Sequence, residues 1–334
     1  MRLAILGATG LVGEALIDQL SKSEIIWQSL RLLATDASMG KSVRVKGKTH
    51  TVEDAATCDF SDIDLLICAA GAKASQQFAP LAADEGALVI DLSPAYRYDD
   101  DVPLIVAGVN NEVLSAARER NIVACADAGT VQLARSLHPL VQQGVLDEVA
   151  VTQLQPVSSR GRGGVEELAQ QSVKLLNGLD AVEGQARQMA FNVLPRQGQI
   201  QENGYTAEEL KVMLELQRVF AGNAFPVSVT CIGVPVFYGI SQSVSVQSSQ
   251  PVSAASGEQW WRSISGLDYV DGDDDGRLSP VNLAEREPSI YVLRVREHLG
   301  SNGLSFMTMA DNIRTAAAAH AIEVVCLILK DDLF

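Results

Sequence analysis

The sequence has few aromatic residues and no uninterrupted apolar run of the ~20 residues that a membrane-spanning helix needs. It also lacks paired cysteine spacings, since its five cysteines are scattered, at Cys58, Cys68, Cys125, Cys231 and Cys326. This pattern argues against a disulfide framework and a metal-binding cluster and is typical of a reducing compartment. No basic, cleavable leader precedes the first apolar segment at Leu3, so we expect a cytoplasmic protein.

Positive charge is also scarce, because 26 lysines and arginines face 41 aspartates and glutamates and leave a net charge of −15. Such a field repels nucleic acids and anionic membranes, so neither is expected as a partner. Any anionic ligand must therefore be bound by local groups. With 334 residues, 47% of them hydrophobic, the chain can bury a large core, and two domains are expected rather than one.

The N-terminus carries a glycine-rich pattern in the context that dinucleotide binding requires. A short apolar strand, Leu3–Leu6, precedes it, and an amphipathic helix follows it. Glycines at this spacing allow a tight turn, a close approach to a pyrophosphate and close helix packing. The alternative is a glycine-rich turn with no ligand. The predicted cofactor contacts are Gly7, Thr9, Gly10, Leu11, Val12, Gly13, and, after the second apolar strand, Thr35 and Asp36.

Apolar runs alternate with polar or helical stretches over the first ~125 residues, which predicts a doubly wound parallel sheet. The runs are Leu3–Leu6, Leu30–Ala34, Leu65–Ala70, Ala87–Leu92 and Ile122–Cys125. From Glu148 onward the apolar residues alternate strictly with polar ones, which predicts an α+β domain whose sheet has one polar face. Helices are predicted at Gly164–Asn177, Thr206–Phe220 and, capped by Asp311, Asn312–Lys330.

Five segments together resemble the aspartate-semialdehyde dehydrogenase family, in its order and spacing and almost end to end. They are the 7–13 loop, the 91–97 segment beginning Asp-Leu-Ser-Pro, Gln155–Ser158, Val234–Phe237 and Asp311–Arg314. The resemblance implies a Rossmann-type dinucleotide-binding domain, residues 1–128 with 312–334, and a substrate-binding and dimerisation domain, residues 129–311. It implies a homodimer, NADP as hydride carrier, phosphate as cosubstrate, and a cysteine and a histidine as catalytic groups.

The resemblance places Ala128 at the position of the nucleophilic cysteine. A thiolate is needed there because it is both a good nucleophile and a good leaving group. Cys125 is an alternative nucleophile, but it precedes the helix N-terminus that would activate it, and a buried structural thiol is expected for it and for the other four cysteines. Asp127 is interpreted as a helix N-cap rather than as a carboxylate nucleophile.

Two further catalytic positions are changed. Gly233 stands where the resemblance expects the arginine that binds the substrate carboxylate, and Ile240, seven positions later, stands where it expects the acid/base histidine. Neither replacement can do that chemistry. Ile240 is in phase with the apolar positions of a strand. Four histidines lie outside the motif positions and are expected to be surface or core residues: His50, His138, His298 and His320.

Other positions of the family's site are retained. The resemblance makes Arg97 a phosphate-binding residue, Gln155 a substrate-orienting residue, and Glu209 and Lys211 contacts for substrate and phosphate. A small anionic metabolite is therefore a possible ligand, and the alternative is that these residues serve packing or ion pairs only. Ser158 and Asn312 are carried over as cofactor contacts, although Ser159 departs from the pattern beside the nicotinamide.

The nucleotide preference is expected to differ from the family's. Ala37 stands where an arginine binds the 2′-phosphate of NADP, and Asp36 would repel that phosphate while accepting hydrogen bonds from a ribose hydroxyl. NAD is thus expected rather than NADP if any dinucleotide binds. Separately, residues 271–278 carry the acidic spacing of a calcium loop, but Asn282 replaces the bidentate glutamate at its twelfth position, so a solvated acidic hairpin is expected instead.

These observations together predict a member of the family without catalysis, a pseudoenzyme that retains NAD(P) and small-anion binding. One alternative is an active NAD(P)-dependent semialdehyde dehydrogenase with relocated catalytic groups. The other is a structural or regulatory dimerisation partner that binds no cofactor.

Overall fold

The computed structural model describes residues 1–35, 39–182, 187–272 and 275–330. The chain divides into two compact units, one formed by Met1–Asp127 with Ala317–Phe334 and the other by Ala128–Ala316. The predicted ribose contact Asp36 and the neighbouring Ala37 lie outside the described residues. No helix in the described part of the chain is long and apolar enough to cross a membrane.

The strands, in chain order, are β1 Arg2–Leu6, β2 Ser29–Ala34, β3 Ser42–Val45, β4 Lys48–Asp54, β5 Leu65–Cys68, β6 Leu88–Asp91, β7 Leu104–Ile105, β8 Ile122–Cys125, β9 Glu148–Gln155, β10 Val227–Gly233, β11 Ile240–Gln247, β12 Leu267–Tyr269, β13 Ile290–Glu297 and β14 Gly303–Ala310. The α-helices are α1 Leu11–Lys22, α2 Ala72–Asp84, α3 Ala128–Gln142, α4 Gly161–Leu176, α5 Ala207–Val219, α6 Ala254–Arg262 and α7 His320–Lys330. Shorter 3-10 turns cover Ala55–Thr57, Asn111–Glu119, Val157–Arg160, Asp275–Arg277 and Pro280–Glu285.

The first unit contains an eight-stranded sheet in the order β3-β4-β2-β1-β5-β6-β8-β7. All its pairs are parallel except β3 with β4. Its central strands are buried on both faces, which is why the sequence shows them as continuous apolar runs. This arrangement confirms the predicted doubly wound domain, and β1 and β2 end next to each other at the glycine loop.

The second unit contains a six-stranded mixed sheet in the order β10-β9-β11-β14-β13-β12. Buried and more exposed residues alternate along β9 and, from Gln242 onward, along β11, as the sequence pattern predicts. Helices α3, α5 and α6 pack on this sheet. The second domain is thus the α+β domain expected from the sequence.

The structure corrects two details of the prediction. The predicted helix over Asn312–Lys330 is a π-helical segment, Arg314–Ala319, followed by α7. The acidic segment after β12 is not a hairpin turn, because β12 and the strand that follows the segment, β13, pair in parallel. Of that segment, Asp273 and Asp274 lie outside the described residues.

Candidate functional site

Two of the three fingerprint glycines are required by the protein backbone itself. Gly7 has a φ of +85°, and a Cβ there would lie 2.8 Å from the backbone of Ala69 and Ala70, which follow β5. A Cβ on Gly13 would overlap the carbonyl oxygen of Gly7. These glycines therefore make the tight turn and the close packing of α1 on the strand that the fingerprint predicts.

Gly10 differs from both because no atom of the described residues lies close enough to forbid a side chain there. Its φ of −80° suits any residue, and the nearest atom to an added Cβ is the Gly7 carbonyl oxygen at 3.4 Å. Gly10 is also the N-cap of α1 and provides no side-chain cap. The first-turn N–H groups of α1 therefore have no capping side chain from Gly10, the arrangement by which helix N-termini of this type bind anions.

The other predicted cofactor contacts of this unit lie around the same edge of the sheet. Thr9 belongs to the loop, Leu11 and Val12 form the first turn of α1, and the exposed Thr35 directly follows β2. Since β1 and β2 are parallel neighbours, the loop and Thr35 leave the sheet at the same end. This is the edge at which open α/β sheets bind nucleotides.

Arg97 is held by its own unit rather than left open for a ligand. Its side chain is only 4% exposed, and Nε donates to the Cys125 carbonyl at 3.0 Å while Nη2 donates to the Leu92 carbonyl at 2.8 Å. Nη1 lies 3.5 Å from Oδ2 of Asp127. A carboxylate of the chain thus already neutralises the predicted phosphate-binding group.

Asp91 lies in a buried network at the end of β6. Its carboxylate accepts hydrogen bonds from Ser75 Oγ at 2.6 Å, from Ser93 Oγ at 2.9 Å and from the Ser93 N–H at 3.1 Å. Burial nevertheless raises the pKa of Asp91, and the hydrogen bonds and Arg97 only partly oppose that effect. This network fixes the turn that carries Arg97.

The predicted nucleophile position is the first residue of α3, where Ala128 offers only a methyl group. Asp127 directly precedes the helix, in the place predicted for its N-cap. Cys125 is the last residue of β8 and is 1% exposed, and burial strongly raises the pKa of its thiol. A buried neutral thiol of this kind is a poor nucleophile.

The expectation that every cysteine is a buried structural residue is wrong for two of the five. Cys68, Cys125 and Cys231 are buried, whereas Cys58 is half-buried and Cys326 is exposed on α7. Cys326 follows two buried valines and lies on the solvent-exposed face of α7, which is an amphipathic helix. The sequence of α7 is almost continuously apolar, so the helical periodicity that separates its buried face from its exposed face could not be recognised from the sequence.

At the two remaining positions where the resemblance expects catalytic residues, Ile240 and Gly233 are packed against other residues of the second unit. Ile240 opens β11 and is 2% exposed, in phase with the buried Val244 and Val246. Gly233 ends β10, and the amide of Gln197 fills the space into which a side chain at Gly233 would project. No proton carrier or carboxylate clamp occupies either position.

The second unit brings the predicted Ser158 and Asn312 together. Ser158 Oγ lies 3.1 Å from Asn312 Nδ2, and Asn312 Oδ1 accepts from the Gly239 N–H at 3.0 Å. Gln155 ends β9 at 4% exposure, and its side-chain amide has no hydrogen-bond partner among the described residues. Of these three residues, Gln155 is the one whose side chain forms no hydrogen bond with a described residue.

Glu209 and Lys211 have partners on their own helix. Glu209 Oε2 accepts from the Thr206 N–H at 2.7 Å to form a capping box of α5, while Oε1 accepts from the Cys231 N–H at 3.0 Å. Lys211 Nζ lies 2.6 Å from Glu208 Oε2. Glu209 therefore joins α5 to β10, a role for which the Thr-x-x-Glu pattern was the available sequence signal.

A buried cluster of amide side chains beneath α3 was not found from the sequence. Gln242 Nε2 donates to Gln153 Oε1 at 2.7 Å and to the Gly129 carbonyl at 2.9 Å, and Gln132 Nε2 lies 3.2 Å from Thr308 Oγ1. The side-chain carbonyls of Gln132 and Gln242 have no partner among the described residues. The sequence signal that could have indicated this cluster is the pair of glutamines at inward-facing positions of β9 and β11.

The described residues contain no group of histidines, cysteines and carboxylates that could hold a metal ion. The four histidines lie away from the motif positions, as expected. His320 is buried and accepts from the Ala107 N–H at 2.9 Å, whereas the other three are half-buried. Asp271 of the acidic segment pairs with Arg262 at 2.5 Å.

Comparison with known proteins matches both units. Residues 2–117 match the family model "Semialdehyde dehydrogenase, NAD binding domain", and residues 137–315 match "Semialdehyde dehydrogenase, dimerisation domain". Aspartate-semialdehyde dehydrogenase 2 of Vibrio cholerae is 36% identical over 330 residues, 98% of this chain and 97% of that protein.

Solved structures agree with these matches. The crystal structure of aspartate semialdehyde dehydrogenase II from Vibrio cholerae has a TM-score of 0.95 at 36% identity, covering 99% of this chain and 98% of that one. That of a probable aspartate-semialdehyde dehydrogenase from Pseudomonas aeruginosa has a TM-score of 0.93 at 32% identity, with the same coverage.

Proposed function

We propose that this chain, which belongs to the semialdehyde dehydrogenase family and carries its NAD-binding domain, binds a dinucleotide but does not oxidise a semialdehyde. The observation that carries the proposal is Ala128 at the first residue of α3. A thiol at a helix N-terminus is where a nucleophile would be activated, and a methyl group can form no thioester.

No thiol of the described residues replaces the missing one. Cys125 is nearest along the chain, but it is buried, its pKa is raised, and its backbone carbonyl is bonded to Arg97. The exposed Cys326 lies on α7, in a different part of the sequence from the nucleophile segment. The base and the carboxylate clamp are missing independently, at Ile240 and Gly233. Three separate losses favour an inactive protein over one with relocated groups.

The proposed cofactor site is the loop around Gly10 with the first turn of α1, together with Thr35. Gly10 supports this proposal because the folded protein gives no other reason for a glycine there. The dinucleotide would place its pyrophosphate on the α1 N–H groups. We further propose NAD rather than NADP, on the charge of Asp36 and the absence of an arginine at Ala37. Ser158 and Asn312, which belong to the second unit, remain cofactor contacts predicted by the sequence resemblance.

A second candidate is a dimerisation partner that binds no cofactor. It is favoured by the internal bonds of Arg97, Glu209 and Asn312, which leave little open polar surface at the family's ligand positions. Both candidates carry the matched dimerisation domain, and we propose a homodimer in either case.

Two measurements on the purified chain test the proposal. Calorimetric titration with NAD and with NADP is expected to give saturable binding, tighter for NAD. An assay of NAD(P)H formation with aspartate semialdehyde and phosphate is expected to give no turnover. Turnover at an ordinary enzymatic rate would contradict the loss of catalysis. Binding of neither nucleotide would contradict the proposed cofactor site and favour the second candidate, a dimerisation partner that binds no cofactor.

A further inference from the structure

A small cavity lies in the second unit, on the side of β10 toward which a side chain at Gly233 would project. Its volume is about 160 Å³, and its walls include Gln197 and Met189, the two residues that an added Cβ at Gly233 would meet. The segment that carries Gln197 pairs with the end of β10, because the Leu194 N–H donates to the Gly233 carbonyl and the Gln197 N–H to the Cys231 carbonyl. The cavity is therefore built on the sheet edge.

Three arginines line this cavity, Arg160, Arg187 and Arg196, with a single carboxylate, Glu167. Arg160 Nη1 is paired with Glu167 Oε2 at 2.7 Å. No acidic side chain among the described residues pairs with Arg187 or Arg196, and the side-chain amide of Gln197 donates no hydrogen bond to any described residue. The net charge of the chain is −15, so two guanidinium groups at one cavity with no acidic partner among the described residues are unexpected.

We propose that this cavity binds a small organic anion through Arg196 and Arg187, with the Gln197 amide as a further donor. Guanidinium groups recognise carboxylate and phosphate oxygens through charge-assisted hydrogen bonds. Arg196 lies on the segment that pairs with the end of β10, beside Gly233.

The size and lining of the cavity limit the ligand. A volume of about 160 Å³ is below the ~300 Å³ at which pockets for drug-sized molecules begin, so the ligand is a small metabolite. Met189 and Leu194 form apolar walls and suit a short carbon chain between anionic ends. A four-carbon dicarboxylate or a short-chain phosphate has this chemistry.

This site is distinct from the proposed cofactor loop, and it requires neither dinucleotide binding nor catalysis. Its residues all belong to the second unit, whereas the loop belongs to the first. A test of anion binding at this cavity can therefore succeed or fail independently of a test of the proposed function.

Titration calorimetry of the full chain at low ionic strength tests the proposal, with succinate and inorganic phosphate as separate probes. We expect saturable binding of at least one probe and a loss of about tenfold or more in Arg196→Gln, the scale of one charge-assisted hydrogen bond. Arg44→Gln, the same change at an exposed arginine on β3, is the matched control and should bind like the unmodified chain.

The two probes separate the ligand classes. Tighter binding of succinate identifies a dicarboxylate pocket, and tighter binding of phosphate identifies a phosphate pocket, provided that the affinity falls in Arg196→Gln. Binding that Arg196→Gln leaves unchanged, or no binding of either probe at millimolar concentration, overturns the proposal. The circular dichroism spectrum and the melting temperature of Arg196→Gln should match those of the unmodified chain, which shows that the variant is folded.

Discussion

The carboxylate of Asp127 lies 3.5 Å from the guanidinium of Arg97, 30 positions earlier in the chain. Arg97 is 4% exposed and Asp127 is 24% exposed, so solvent screens the pair only in part. An anion approaching Arg97 must compete with this internal carboxylate. Asp127 is therefore the residue whose charge most directly opposes an anion at Arg97.

Replacing Asp127 with asparagine should open Arg97 to anions. Asparagine keeps the shape and the capping ability of aspartate while removing its charge. We expect phosphate to bind roughly fivefold more tightly to Asp127→Asn than to the unmodified chain, since a partly exposed ion pair is worth about 1 kcal/mol. Calorimetric titration with phosphate measures this. Asp62→Asn, which also removes an arginine's carboxylate partner, is the control and should have no effect.

Substitutions at the two glycines of the loop should separate binding from stability. Gly10→Ala meets no protein atom closer than 3.4 Å, so its free energy of unfolding should change by less than about 0.5 kcal/mol. A methyl group there would nevertheless stand where the pyrophosphate approaches, so dinucleotide affinity should fall at least tenfold. Chemical denaturation and NAD titration measure the two effects.

Gly13→Ala is the matched comparison, since its Cβ would overlap the Gly7 carbonyl. It should cost about 1–3 kcal/mol of unfolding free energy, the scale of overpacking, and binding should fall with it. If Gly10→Ala binds NAD as well as the unmodified chain does, the loop does not carry the dinucleotide.

Thiol labelling should rank the cysteines by burial. In the folded protein at neutral pH we expect maleimide to modify Cys326 first and Cys58 more slowly, while Cys68 and Cys125 react only on unfolding, because burial raises their pKa. Mass spectrometry of time points identifies each site. Labelling of Cys125 before Cys326 would make Cys125 the better nucleophile candidate.

Restoring the missing thiol should restore reactivity but not turnover. In a Cys326→Ser background, Ala128→Cys is expected to label faster than Cys58, because a helix N-terminus favours the thiolate. The dehydrogenase assay should stay at background, since Ile240 and Gly233 still lack the base and the clamp and such groups act as a unit. Measurable turnover by Ala128→Cys alone would show that the other two positions are dispensable.

Asp91 should make the protein's stability depend on pH. Burial raises the pKa of Asp91 in the folded state above its unfolded value, so the protonated form is favoured by folding and that contribution is lost as the pH rises through the folded pKa. Asp91→Asn removes the buried charge. Its melting temperature relative to the unmodified chain should therefore be higher at pH 7 than at pH 4. A difference that is independent of pH would contradict the raised pKa.

The sequence predicted local structure more completely than it predicted contacts between distant segments. Continuous apolar runs located five parallel strands, because buried strands need apolar residues on both faces. The partners of Arg97 could not be predicted in the same way, since its bonds to Asp127 and to the Cys125 carbonyl join segments far apart in the chain. The Gln197 side chain in front of Gly233 likewise depends on the pairing of its segment with β10.

The exposed face of the second sheet is the surface that a homodimer would bury. One row crosses four adjacent strands through Thr230, Thr152, Ser243 and Met307. Thr230 and Ser243 are exposed and the other two are half-buried, whereas the alternate residues of these strands face the helices. None of the four side chains is charged and three of them are small, which suits close packing against a second copy.

Ser243→Arg should therefore convert the dimer to a monomer. Two copies related by twofold symmetry would bring the new charges together at one interface, and burying an unpaired charge costs several kcal/mol. Sedimentation at micromolar concentration should give twice the chain mass for the unmodified protein and for the control Ser42→Arg, an exposed serine on β3 of the other unit. It should give the single chain mass for Ser243→Arg, with the circular dichroism spectrum unchanged. A monomeric unmodified chain would refute the homodimer, and a dimeric Ser243→Arg would place the interface on another surface.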